Sequence, residues 1–225
     1  MHSCPHRGFQ VQSVNILFDL DGTLTDPRDG IVRCIQYALE RLGLEPRSEE
    51  DLLHFIGPPL RESFCELLNT TDEAALARAV NVYRERYSTI GLLENDLYAG
   101  IPEALSALRE RGDVLFVATS KPGLYAQQIL EHFGLACYFR SIWGCELDGT
   151  RGEKADLIGH VLSQEELAPR DTVMVGDRLH DAVGARAHGI LPVGVLWGSG
   201  DEQELVNAQC KPLLHTPAEL AQLVL

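Results

Sequence analysis

Apolar residues recur along this chain in two rhythms. Residues 14–18 form an apolar run that reads as a buried strand ending near Asp19. Residues 29–42 carry apolar side chains at 31, 32, 35, 38, 39 and 42, a helical period, and Gly43 follows as a stop. Residues 49–55, 60–68 and 72–90 also predict helices, with Pro58-Pro59 interrupting the first two. No strand pattern lies between 27 and 96, so this block predicts an all-helical insertion. Beyond Tyr98 the texture changes to short apolar runs alternating with helices. Strands are predicted at 114–118, 141–143, 172–175 and 191–196. Helices are predicted at 102–110, 122–133, 154–162, 179–188, 202–207 and 217–224, with Pro122 at the first position of its helix. Strand–helix alternation implies an α/β fold, a parallel sheet covered on both faces. The strand at 14–18 must join that sheet across the insertion.

The chemistry concentrates where the first strand ends. The string Phe18-Asp19-Leu20-Asp21-Gly22-Thr23-Leu24-Thr25-Asp26 places two carboxylates two residues apart at the strand's carboxyl edge. A buried strand end is a costly place for two negative charges unless a cation or a reaction uses them. In open α/β sheets, ligand sites form at such edges. A second strand, 172–175, ends in Gly176-Asp177-Arg178-Leu179-His180-Asp181 and again delivers carboxylates.

These residues resemble the haloacid dehalogenase (HAD) superfamily in its phosphatase form, whose first motif reads Asp-x-Asp-Gly-Thr-[Leu/Val]-x-Asp and whose fourth reads Gly-Asp-x-x-x-Asp. The strand Val114 onward, ending Ala118-Thr119-Ser120-Lys121-Pro122, looks like the second motif, and Arg151-Gly152-Glu153-Lys154-Ala155-Asp156 like the third. All four occur in the expected order, and the resemblance runs from about Val14 to Leu225. It implies a Rossmann-like parallel-sheet core, residues 12–26 and 97–225, with a helical cap at 27–96 and a flexible tail at 1–11. Hinges would lie near Asp26-Pro27 and Asp96-Leu97.

The resemblance implies a role for each motif residue. Asp19 would be the nucleophile that forms an aspartyl-phosphate. Asp21 would be the general acid and base, a residue that dehalogenase members lack because halide needs no proton. The Thr119 hydroxyl and the Ser120 backbone N–H would bind phosphoryl oxygens, helped by the following helix N-terminus. Lys154 would neutralise Asp19 and the phosphoryl group. The chain has three lysines, Lys121, Lys154 and Lys211, and the family spacing selects Lys154. Mg²⁺ would be held by the Asp19 carboxylate, the Asp21 backbone carbonyl and Asp177, with Asp181 acting mainly through water and neighbouring hydrogen bonds. His180 reads as structural or as a neighbour of the site.

Substrate choice falls to the cap. Phe55-Ile56-Gly57-Pro58-Pro59-Leu60-Arg61 resembles the family's substrate-specificity loop. Gly57 would allow close backbone approach. Arg61 either reads an anionic group or is a surface arginine beside a helix–helix turn. No lysine lies between Asp21 and Ser120, which excludes the phosphonate-cleaving relatives that form a Schiff base on a cap lysine. The texture is nearest to members described as phosphoglycolate phosphatases or 5′-nucleotidases. The implied activity is Mg²⁺-dependent hydrolysis of a small phosphomonoester. A sugar-phosphate mutase of the same superfamily and a non-catalytic binding or regulatory protein are the alternatives.

Composition narrows the partners. The formal charge of −14 argues against a nucleic-acid polymer, which needs clustered Lys and Arg. It leaves room for a small phosphate ester, since a local cation inverts the field. No apolar stretch approaches a membrane span, and the first residues lack the apolar core of a signal peptide. The six cysteines are scattered and form no disulfide framework. The expectation is a cytoplasmic protein, monomeric or homodimeric, whose partner is a phosphorylated metabolite.

Overall fold

The structure, a computed structural model, describes residues 13–223. The expected tail at 1–11 lies outside them. At the centre is β1 (Asn15–Phe18), whose Ile16, Leu17 and Phe18 are fully buried. It pairs in parallel with β4 (Val114–Pro122) on one side and β6 (Thr172–Gly176) on the other. The sheet extends to β5 (Ser141–Cys145) beyond β4, and to β7 (Leu191–Val195) and β8 (Leu213–Leu214) beyond β6. Every pair in it is parallel.

A parallel sheet buries both faces, and the alternation of side chains sorts each strand between two cores. Ile16, Phe18, Leu115, Val117, Val173 and Val175 face one way. There they meet α4 (Ile101–Arg111) and α5 (Gly123–His132) through residues such as Leu105 and Ile129. Leu17, Phe116 and Met174 face the other way, against Leu157, Ile158 and Val161 of α6 (Lys154–Gln164) and Ala185 of α7 (Leu179–Ala187). A short α8 (Glu202–Asn207) precedes the edge strand β8.

Between β1 and β4 the chain leaves the sheet. A two-stranded antiparallel ribbon, β2 (Thr25–Asp26) with β3 (Asp96–Leu97), marks where it departs and returns. It spans the positions expected to act as hinges. Inside the excursion are α1 (Arg28–Arg41), α2 (Leu60–Leu68) and α3 (Glu73–Tyr87). The α3 start is fixed by Asp72, whose carboxylate accepts the Ala75 N–H at 2.9 Å. Ile35, Phe64 and Tyr83 of this segment belong to the same continuous apolar cluster as the first sheet face.

Local differences from the sequence reading have simple causes. Residues 50–55 wind as a 3-10 helix, short enough to keep the poorer i→i+3 bonds, and Pro217–Gln222 does the same. Pro122 still belongs to β4, at ψ 129°, so α5 starts one residue later than predicted. The ribbon and β8 contain only two residues per strand, too few to show alternation. Among the described residues, no helix is long and apolar enough to cross a membrane.

Candidate active site

Three adjacent strands end at one edge, and each delivers a polar residue there. Asp19 follows β1 directly, and its N–H continues the ladder to the Val175 carbonyl at 2.9 Å. Thr119 lies in the last part of β4, and Asp177 follows β6. Asp19, Asp177 and Asp181 are all buried, and each offers an oxygen within 4.8 Å of the others. Lys154, at the start of α6, sends its ammonium into this cluster. Its Nζ donates to Asp19 Oδ1 at 2.8 Å and to the Ala118 carbonyl at 3.0 Å, and lies 2.8 Å from Asp181 Oδ1.

Three buried carboxylates against one ammonium leave a charge excess, and the proton affinities of Asp177 and Asp181 show it. Burial, with Asp19 and Asp181 adding to it, pushes Asp177 up to about 8. The Ser199 N–H, 2.8 Å from Asp177 Oδ2, opposes this. Burial pushes Asp181 up to about 6 against the pull of Lys154. Burial alone would lower the Lys154 ammonium; Asp181 and Asp19 outweigh it and hold the group charged well above the ordinary lysine range. Such a cluster of hard oxygen donors suits a divalent cation in place of the extra proton. Asp181 also caps α7, where its Oδ2 accepts the Arg178 N–H at 3.2 Å.

Asp21 lies two residues further on and stands outside that three-carboxylate cluster. Its carboxylate meets Lys121, with Nζ at 2.6 Å from Oδ1 and 2.5 Å from Oδ2. Burial raises the Asp21 pKa, and Lys121 works against the rise. Gly22 links the two halves of the motif at φ +85°, a conformation L side chains rarely adopt, and a Cβ there would fall inside the Asp177 carboxylate. Thr23 donates to Asp177 Oδ1 at 3.4 Å, and the Trp197 indole N–H holds the Thr23 carbonyl at 2.9 Å.

A cavity of about 730 Å³ opens between this edge and the helical segment. Asp19, Asp21, Thr119, Ser120, Lys154 and Asp181 line its floor. Thr119 Oγ1 accepts the Lys121 N–H at 3.3 Å, and the Ser120 carbonyl accepts the Cys145 thiol at 2.9 Å. Gly57 and Arg61 lie on the opposite wall. Arg61 is about half exposed, with 51% of its side chain accessible, and is paired with Glu73. Gly57, at φ +105°, passes so close to Arg178 that a Cβ would lie 3.0 Å from Nη1. His180 lines the same cavity.

The structure thus brings Asp19, Asp21, Thr119, Ser120, Lys154, Asp181, Gly57 and Arg61 to one cavity, while Asp177 lies buried behind it, within the carboxylate cluster of Asp19 and Asp181. It adds residues that the sequence reading passed over. Lys121 is buried and touches Asp21, although the family spacing had directed attention to Lys154. The β4–β5 register is irregular between Thr119 and Pro122, so strand alternation alone does not place Lys121. Arg178 reaches across the cavity mouth and donates to the Ile56 carbonyl at 2.9 Å. Tyr83, Tyr87 and Tyr125 form an aromatic wall, Tyr83 and Tyr87 with centroids 5.2 Å apart, Tyr87 and Tyr125 5.5 Å apart.

Comparison with known proteins agrees with this architecture. The family model described as haloacid dehalogenase-like hydrolase matches residues 16–195. A 5′-nucleotidase of Pseudomonas aeruginosa is 51% identical over 209 residues, covering 93% of each chain. The tyrosine-protein kinase PtkA of Mycobacterium tuberculosis is 45% identical over 188 residues, covering 82% of this chain and 62% of that one. The crystal structure of a predicted phosphatase from Clostridium acetobutylicum superposes with a TM-score of 0.89 at 39% identity, over 93% of this chain and 97% of that one. Motifs, sheet order and these similarities converge: the chain belongs to the haloacid dehalogenase-like hydrolase family.

Proposed function

We propose that this protein is a Mg²⁺-dependent phosphomonoester hydrolase working through phospho-Asp19. The observation that carries this reading is the pair of lysine-bound aspartates at the cavity floor: Asp19 on Lys154 and, two residues on, Asp21 on Lys121. Residues 12–26 and 97–225 act as the catalytic core and 27–96 as a cap that closes over the substrate and excludes bulk water.

In the first step an Asp19 carboxylate oxygen attacks phosphorus as the ester bond breaks, and Asp21 gives its proton to the departing alkoxide. In the second, Asp21 takes a proton from water, the hydroxide attacks phosphorus, and the acyl-phosphate bond breaks to return Asp19 and free phosphate. The Thr119 hydroxyl and Ser120 N–H orient the phosphoryl oxygens, and Lys154 offsets their charge. Asp19, Asp177 and the Asp21 carbonyl would hold Mg²⁺, with Asp181 supporting them; the cation would neutralise the phosphoryl oxygens. The charge excess at Asp177 fits that assignment.

The substrate is a small phosphorylated metabolite, phosphoglycolate or a 5′-nucleotide, met in the cytoplasm by a monomer or homodimer. The similarity to a 5′-nucleotidase supports the nucleotide, and the cap-loop resemblance admits both. The test is Mg²⁺-dependent phosphate release from phosphoglycolate, 5′-nucleotides and sugar phosphates, with Asp19→Asn as control. Release that the variant loses supports the hydrolase. An isomerised sugar phosphate without free phosphate would make it a mutase, and transfer from ATP to a tyrosine peptide would point to kinase activity. No turnover by folded, metal-supplied protein would leave the binding reading.

A further inference from the structure

Lys121 has a neighbour that the hydrolytic scheme does not use. Its side chain is only 5% exposed, and its ammonium lies 5.3 Å from the centroid of the Tyr87 ring, which comes from α3 on the cap side. The Tyr87 hydroxyl is buried without a hydrogen-bond partner. That ring is wedged between Tyr83 and Tyr125, so it cannot swing out to find water without unstacking the wall. Tyr87, Lys121 and Asp21 all line the cavity. A buried hydroxyl without a partner is unfavourable, and Tyr87 belongs to the wall against which a ligand would pack.

Position says which part of the ligand arrives there. In-line attack by Asp19 sends the leaving group away from the sheet edge, towards the cap. Asp21 would contact the leaving oxygen itself. Lys121 touches both Asp21 oxygens, so an acceptor it reaches sits on a carbon close to that oxygen. The ammonium carries three N–H donors, more than one carboxylate in one direction satisfies.

We propose that Lys121 and the Tyr87 hydroxyl form a leaving-group subsite for an oxygen on the carbon adjacent to the ester carbon, selecting substrates with a P–O–C–C–O unit. This rests on the hydrolase reading and names its substrate class. A phosphoglycolate-type carboxylate and the ring oxygen of a nucleotide's ribose both present that unit; a simple alkyl phosphate does not. A site built to donate to a substrate oxygen rejects the analogue lacking it, because its own donors are then left unpaired.

The experiment compares kcat/KM for phosphoglycolate, a 5′-nucleotide and n-propyl phosphate in wild type, Lys121→Met, Lys121→Arg and Tyr87→Phe. Wild type should prefer the better oxygenated ester over n-propyl phosphate by at least about tenfold, the worth of one hydrogen bond to a charged donor. Lys121→Met should collapse that ratio towards one, Lys121→Arg should keep part of it, and Tyr87→Phe should reduce it severalfold. Which ester loses more in Lys121→Met identifies carboxylate or ribose oxygen as the natural acceptor, and either supports the subsite. Equal loss on all three esters would overturn it and leave Lys121 as a holder of Asp21. A wild type that cleaves all three equally well would overturn it while the hydrolase reading stands. No cleavage of any would remove both. If Lys121→Met does not fold, Tyr87→Phe decides by the same ratio.

Discussion

Arg178 of the turn after β6 donates to the carbonyl of Ile56 in the loop before α2, Nη1 to oxygen 2.9 Å, across 122 residues of sequence. The same guanidinium holds Glu204 through Nε at 2.9 Å, and Glu204 also accepts the Leu179 N–H at 2.7 Å. One arginine therefore joins the carboxylate-bearing turn, α8 and the loop before α2. Arg178→Met should free that loop while the sheet stays intact. Hydrogen exchange at residues 55–60 should quicken, and the loss of a partly buried charged hydrogen bond should cost about 1–2 kcal/mol in denaturant unfolding. Unchanged exchange there would show that the apolar cluster alone holds the cap.

Gly57 is the other half of this contact. Its φ of +105° is strained for any L side chain, and its missing Cβ leaves room for Arg178. Gly57→Ala should cost about 1–3 kcal/mol from backbone strain and lost Arg178 packing together. Combined with Arg178→Met the costs should fall short of the sum, since the second change removes the neighbour that the first collides with. Strict additivity in a double-mutant cycle would refute the coupling.

The charge excess at Asp177 predicts a pH dependence with a definite sign. Unfolded, this carboxyl ionises near 3.8; folded and without metal, near 8. Between those values the folded state holds a proton that the unfolded state has lost, so metal-free stability falls as pH rises and levels off above about 8. Asp181, raised to about 6, steepens the lower part of the window. Mg²⁺ must displace these protons, so its affinity should rise with pH up to about 8, with proton release on binding. Melting temperatures of metal-free protein from pH 5 to 9, repeated with Mg²⁺, check both. A metal-free protein that gains stability across pH 6–8 would contradict the assignment.

The motif aspartates and Lys154 were legible because a strand end, a short polar string and a fixed order coincide in the sequence. The α/β class was legible because parallel strands, buried on both faces, read as apolar runs. Lys121 was harder to see, since one lysine already filled the family's role and the helix was expected to start at Pro122. The irregularity in the β4–β5 register between Thr119 and Pro122 also hides its facing from a simple alternation. Arg178 occupies a variable position of its motif, and a contact spanning 122 residues leaves no local trace. The two-residue strands of the ribbon and β8 are set by the register of their neighbours, not by their own pattern.

Asp19→Asn offers the sharpest separation of chemistry from structure. The amide keeps the shape of the carboxylate, and its oxygen still accepts from Lys154, which holds Asp19 Oδ1 at 2.8 Å. Removing one charge from an overcrowded acidic cluster also relieves Asp177, whose proton affinity Asp19 helps to raise. Fold stability should therefore stay within about 1 kcal/mol of wild type, while turnover falls by roughly 10³-fold or more because no anionic oxygen remains to attack phosphorus. Lys154→Met is the converse. It leaves Asp19 and Asp181 buried without their counter-charge, a loss of about 3–5 kcal/mol, and should unfold the protein at lower denaturant as well as silence it. Phosphate release and urea midpoints on the two variants separate these roles. Near-normal turnover in Asp19→Asn would remove the nucleophile assignment, and an unchanged midpoint in Lys154→Met would show that the carboxylates take up protons instead.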